Sequence, residues 1–170
     1  MTDLPKQYAW LETEPGPRIL VEALKTYGTI EKPGEGSNPS ILAWAKITGF
    51  DRIYRNDATA WCGLWMAYVA LQAGWDVPLN PLGARNWLAF GVPQQKPSLG
   101  DVLVFWRGAS SGFNGHVGLY VGEDAQAFHV LGGNQSGRHH FGQRAHHRIP
   151  RITTNHPRSK TTPMPITPAY

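Results

Sequence analysis

Apolar residues in the first half of the chain recur with helical spacing, framed by Pro or Asn where a segment starts and Gly where it stops. In "GPRILVEALKTYG", Ile19, Leu20, Ala23, Leu24 and Tyr27 form one stripe, with Pro17 near the start and Gly28 as the stop. "SNPSILAWAKITG" repeats that grammar, with Asn38 as N-cap, Pro39 at the first helical position and Gly49 past the end. "LNPLGARNWLAFG" does so again from Asn80 and Pro81 to Gly91. Between them, Ala60 to Ala73 is apolar on nearly every side and predicts a buried central helix ended by Gly74. The second half changes period. Gly100 to Trp106, Gly115 to Gly122 and Ala127 to Gly133 are short β-rich runs bounded by Gly and polar turns. Such tight spacing leaves no room for crossover helices, so an antiparallel meander is predicted. Arg138 to Ile149 is a candidate for one more strand. After Pro150 the polar, Pro-rich "RITTNHPRSKTTPMPITPAY" reads as an extended tail. Helices first and sheet second give an α+β domain over residues 1–150 and a basic tail over 151–170.

Composition narrows the class. A chain of 170 residues with 41% hydrophobic and 16% charged residues is a single globular domain, not a disordered one. The single cysteine excludes an internal disulfide framework and a Cys-rich zinc site. The first residues carry no basic patch followed by an apolar run, and no apolar stretch approaches the ~20 residues of a membrane span. The expectation is therefore a cytoplasmic product without signal peptide or membrane span, delivered to any outside target by other means. Charge is uneven: every Asp and Glu lies at or before Asp124, whereas six basic residues and no acid follow from Arg138 to Lys160. Such a tail suits an anionic surface or a partner protein, although a solvated strand and loose tail explain it equally simply.

The candidate chemistry starts at the lone cysteine. With Thr59 or Asp57 as cap, Cys62 falls in the first turn of the central helix, where unpaired N–H groups and the helix dipole favour an anion. That setting lowers a thiol's pKa toward neutrality and offers donors to an oxyanion. Packing is the simpler use of a lone cysteine until a base is found. The base candidate is His116 in "NGHVGLYVG", at the head of a strand. Alternation puts His116, Gly118 and Tyr120 on one face, and Gly118 leaves room there for a helix start.

"AWCGLW", followed by "GDVLVFWRG" and "GHVGLYVG", resembles the NlpC-type and CHAP-type cysteine amidohydrolases, which share a minimal papain-like fold. Together "GTIEKPGEGSNPSI", "TAWC", "GHVGLYVGEDA" and "VLGGNQS" resemble a phage-associated group of that superfamily, over roughly residues 5–137. The resemblance implies a papain-like core with the Cys-bearing helix packed on a small antiparallel sheet, and cleavage of amide bonds in bacterial peptidoglycan. It makes Cys62 the nucleophile and His116 the base. Gly63 and Trp65 depart from the Ala or Ser and the Phe more usual in such helices. For the third residue, His129 in "AFHVL" resembles the NlpC pattern and Asn134 in "GGNQS" the CHAP pattern. A two-residue turn at Asp124-Ala125 puts His129 on the His116 face; a three-residue turn with a bulge puts Asn134 opposite His116. Asp-Ala is a poor two-residue turn, which favours Asn134, with His129 the alternative.

Trp61, Trp106 and Arg107 are candidates to line the groove and meet the stem peptide or its carboxylates, though core packing accounts for the tryptophans as readily. Glu31 is a candidate for substrate binding or for a helix-to-loop brace, and Asp57 for a cap. The doublets His139-His140 and His146-His147 alternate across a strand, so a metal site is not expected and neither is any cofactor. The sequence thus predicts a peptidoglycan endopeptidase or N-acetylmuramoyl-L-alanine amidase: an endolysin, a virion-associated hydrolase or an injected effector acting in the periplasm or cell wall. Phage tail or virion proteins are candidate partners through the basic tail; nucleic acid is not. A catalytically silent wall-binding or tail module, and an acyltransferase, are the rival readings on the same fold.

Overall fold

Proline and asparagine start the first two helices where the pattern placed them. The computed structural model describes residues 4–14, 16–109 and 111–135, together with the backbone of two strands over 140–145 and 151–154. Helix α1 (Arg18–Leu24) follows the extended Pro17 and gives way to turns ending at Gly28, whose φ is 84°. Helix α2 (Pro39–Ile47) is capped by the Asn38 side-chain oxygen, which accepts the Ser40 N–H at 2.8 Å. Helix α3 (Cys62–Gln72) is the predicted central helix, with eight of its eleven residues buried. Its N-cap is Trp61, which offers no side-chain acceptor, so neither Thr59 nor Asp57 caps it.

The third predicted helix is shorter. Residues Ala84–Ala89 form a 3-10 helix, and Asn80 adopts φ 54° instead of capping. Its carbonyl accepts from Asn86 Nδ2 at 2.7 Å, and the Pro81 carbonyl from Trp87 Nε1 at 2.8 Å. The turn lays the Pro81 and Leu82 carbonyls against Gly63, where any Cβ would collide with them. A further 3-10 helix, Lys6–Glu12, was not foreseen and buries Tyr8 and Leu11.

Six strands make one sheet: β1 (Val92–Gln94), β2 (Val102–Trp106), β3 (Gly115–Glu123), β4 (Ala127–Gly132), β5 (His140–Ala145) and β6 (Arg151–Thr154). Their order is β1-β6-β2-β3-β4-β5, with every neighbouring pair antiparallel. The β2–β3–β4 meander is as predicted, and β5 lies within the candidate segment. Strand β6 corrects the boundary at residue 150: Arg151–Thr154 does not trail away but inserts between β1 and β2, pairing Ile152 with Leu103. Four residues are too few to display an alternation, but Ile152, Thr153 and Thr154 are β-branched and the edge of β2 needs a partner. The remainder of the basic tail, 155–170, lies outside the described residues.

Alternation sorts the sheet into two faces. Val102, Val104, Val117, Leu119 and Leu131 join the core under the helices, with Trp61, Leu64 and Trp65. Leu103, Phe105 and Val130 pack on the opposite face beside Tyr120 and Phe128. This helix-and-sheet layering is α+β. Among the described residues no helix is long and apolar enough to cross a membrane.

Candidate active site

The β3–β4 hairpin sets the register of the site. Asp124 Oδ1 accepts the N–H groups of Gln126 and Ala127 at 2.8 and 2.9 Å, and the Asp124 N–H donates to the Ala127 carbonyl at 3.0 Å. The turn residues are therefore Ala125 and Gln126, one position later than the two-residue turn considered from sequence. A bulge between Tyr120 and Gly122, with Gly122 at φ 150°, then shifts the pairing so that Leu119 faces Leu131. The bulge sits inside the strand rather than in the turn, and the paired register ends at Leu119 and Leu131, short of both His116 and Asn134.

Cys62 is the first residue of α3 and only 6% exposed. Burial pushes its thiol above the usual cysteine range, although the Val117 N–H, the Arg107 charge and the N–H groups of Gly63 and Cys62 itself all act to lower it. The expected depression toward neutrality is thus overturned, because loss of water outweighs the helix terminus. The Val117 N–H is available for a reason. Tyr120 and Arg107 donate to Asp101 and Asn114 across the β2–β3 pair, so even-numbered β3 residues bond toward β2 and odd-numbered ones toward β4. The paired register of β3 with β4 runs only to Leu119 and Leu131, which leaves Val117 to the sulfur. The sulfur therefore rests on the peptide that links Val117 to His116.

His116 is 1% exposed. It pairs with Phe105, so its side chain leaves the sheet on the Phe105 face, not the α3 face expected of it. The room foreseen above Gly118 is taken by β4: a Cβ there would stand 2.6 Å from Val130 Cγ1. The ring turns instead toward Gly132, where an added Cβ would lie 3.0 Å from Nε2 and 3.4 Å from the buried Gln135 amide. On the other side, a Cβ on Gly133 would lie 2.8 Å from Trp65 and 2.9 Å from Trp61. The two glycines thus thread the chain between the imidazole and the start of α3. The thiol meets the strand at the Val117 N–H, one residue along from His116.

Asn134, at φ 54°, points to the helix side. With its amide oriented to satisfy both ends, the oxygen accepts the Trp61 N–H at 3.1 Å and the nitrogen donates to Glu31 Oε1 at 3.2 Å. Glu31 Oε1 also accepts Trp61 Nε1–H at 2.8 Å. Glu31 is a brace between loop and helix. Trp61 is fully buried against Trp44 and so does not line a groove as a surface, whereas Trp106 is half-buried and Arg107 exposed. His129 is not brought to the site. It sits opposite Gly122, about 20 Å along β3 from His116 at ~3.3 Å per residue, where its Nε2 meets Asp124 Oδ2 at 2.8 Å and its ring meets Tyr8 edge-on. That contact, with the turn N–H groups, holds Asp124 down at about 2.

Asp57, expected as a cap, has another task. Its buried Oδ2 accepts the N–H groups of Lys32 and Asn38, each at 2.7 Å, and so closes the loop that carries Glu31. Two site residues had no signal in the sequence. Gln135, whose Nε2 donates to the Val130 carbonyl at 3.2 Å, lies beside His116. Tyr54 donates to the Thr59 carbonyl at 2.6 Å, and burial, with Asp57, Glu31 and Cys62 nearby, pushes its hydroxyl far up. Among the described residues no three His, Cys, Asp or Glu side chains gather as a metal site, and the histidine doublets' side chains lie outside them.

No protein-family model matches this chain, and no curated protein sequence matches it significantly.

Proposed function

We propose that the chain is a cysteine hydrolase on an NlpC/CHAP-like, minimal papain-like core that cleaves an amide bond of peptidoglycan. One observation carries the reading: the only thiol stands at the first residue of a buried helix, against the N–H of the residue that follows His116. In the reaction His116 takes the thiol proton as Sγ bonds to the amide carbonyl carbon. First-turn N–H groups of α3 hold the oxyanion. Collapse breaks the C–N bond, and the imidazolium returns the proton to the departing amine. Water, deprotonated by the same imidazole, then cleaves the thioester. Because burial keeps the resting thiol protonated, attack and proton transfer are coupled, and the imidazole must turn past Gly132 and Gly133 to reach the sulfur.

Cell-wall peptide as substrate rests on the likeness of "TAWC", "GHVGLYVGEDA" and "VLGGNQS" to wall hydrolases. A phage lysin, a virion hydrolase or an injected effector all fit that substrate. Purified sacculi digested by the wild type and by Cys62→Ala, with products identified by mass spectrometry, test the proposal. Released stem-peptide fragments from the wild type alone support it. Equal release by both removes it, and transfer to an added amine in place of water moves the reading to acyl transfer.

A further inference from the structure

We propose that Arg107 selects substrates with a free carboxylate beside the scissile amide, an inference that rests on the hydrolase reading for its reaction but not for its binding. Arg107 follows the last residue of β2 and is held in register by its N–H, which donates to the Asn114 carbonyl at 3.0 Å. Two residues earlier, Phe105 pairs with His116, so Arg107 and His116 share one face of the sheet. The guanidinium is exposed, yet close enough to Cys62 for its charge to favour the thiolate.

Among the described residues that cation has no hydrogen-bond or ion-pair partner for its side chain. Among the described residues the ion pairs are Lys25 with Glu22 and His129 with Asp124, and no side-chain hydrogen bond involves Arg107. The neighbouring cation is committed elsewhere: Arg85 donates to the Gly112 carbonyl and pins the β2–β3 loop. In the same β2–β3 loop, Phe113 is 96% exposed, an apolar surface on the connection that follows Arg107. A planar fork of donors matches a carboxylate in a bidentate pair, which an amidated group cannot reproduce. The substrate class is therefore a peptide with an unamidated carboxylate flanking the cleaved bond.

The test separates binding from cleavage. Calorimetry on the full-length Cys62→Ala protein compares two muropeptides that differ only in whether that carboxylate is free or amidated. The free acid is expected to bind about tenfold more tightly or better, the range of a charge-assisted hydrogen bond. Adding Arg107→Gln should erase the difference, and Arg107→Lys should restore part of it. Equal affinities in Cys62→Ala, a preference that survives Arg107→Gln, or binding of neither peptide overturns the proposal. Cleavage by the wild type is scored separately: Arg107-dependent selection without cleavage keeps this inference and removes the hydrolase.

Discussion

Replacing Asp57 by alanine removes the acceptor of two backbone N–H groups, those of Lys32 and Asn38, from a carboxylate that is 3% exposed. Each orphaned donor costs about 1–3 kcal/mol, so the pair amounts to about 2–6 kcal/mol. That is a large share of the ~5–15 kcal/mol that stabilises a typical domain, and corresponds to a fall in Tm of roughly 5–15 °C. Asp57→Asn keeps one neutral oxygen in place and should lose about half as much. Burial acts to raise the Asp57 pKa, but hydrogen bonds from the Lys32, Asn38 and Asp57 backbones and from Ser37 prevail and hold it below the usual carboxylate range. A depressed carboxyl stabilises the fold fully above its unfolded pKa of about 3.9 and loses that effect as pH falls through the lower folded value. Urea unfolding followed by tryptophan fluorescence should therefore show a gap between wild type and Asp57→Ala that is constant from pH 5 to 8 and narrows below about pH 4. A gap under about 0.5 kcal/mol at pH 7 would refute the latch.

Other perturbations read the site from different sides. Gly63→Ala pushes a methyl onto the Pro81 and Leu82 carbonyls, which are backbone and cannot swing aside, so it should cost about 1–3 kcal/mol in unfolding experiments. His129→Ala, distant from the sulfur, should leave wall hydrolysis within about twofold of wild type, whereas Asn134→Ala unties Trp61 and Glu31 from the helix start and should reduce it about tenfold or more. Equal effects in a turbidity assay would show that the Asn134 network does not support the nucleophile. The buried, raised thiol should react with iodoacetamide far more slowly at pH 7 than a free cysteine and speed up steadily toward pH 9. Fast alkylation already at pH 6 would mean a preformed thiolate.

Local rules made much of this legible. Asn38-Pro39 marks a helix start because its cap and fixed φ act within one turn, and the apolar run after Trp61 can only be a buried helix. What the sequence concealed depends on distant neighbours. Arg151–Thr154 becomes a strand because β2 has a free edge, not because of its own pattern. Asp57 looks like a cap but serves a loop some twenty to twenty-five residues earlier. The left-handed backbone at Asn134 and the Gly132-Gly133 pair decide where the side chains around His116 go, and strand alternation shows neither. The direction of the thiol's pKa is hidden from the sequence because a helix terminus is local, whereas desolvation by the surrounding core is not.

The most direct test follows initial rates of peptide release from purified sacculi for the wild type, Cys62→Ala and His116→Ala at matched fold stability. Loss of about a thousandfold or more in both variants is the predicted result, as for any nucleophile and base that act as a unit. A wild-type rate in either variant would contradict the account.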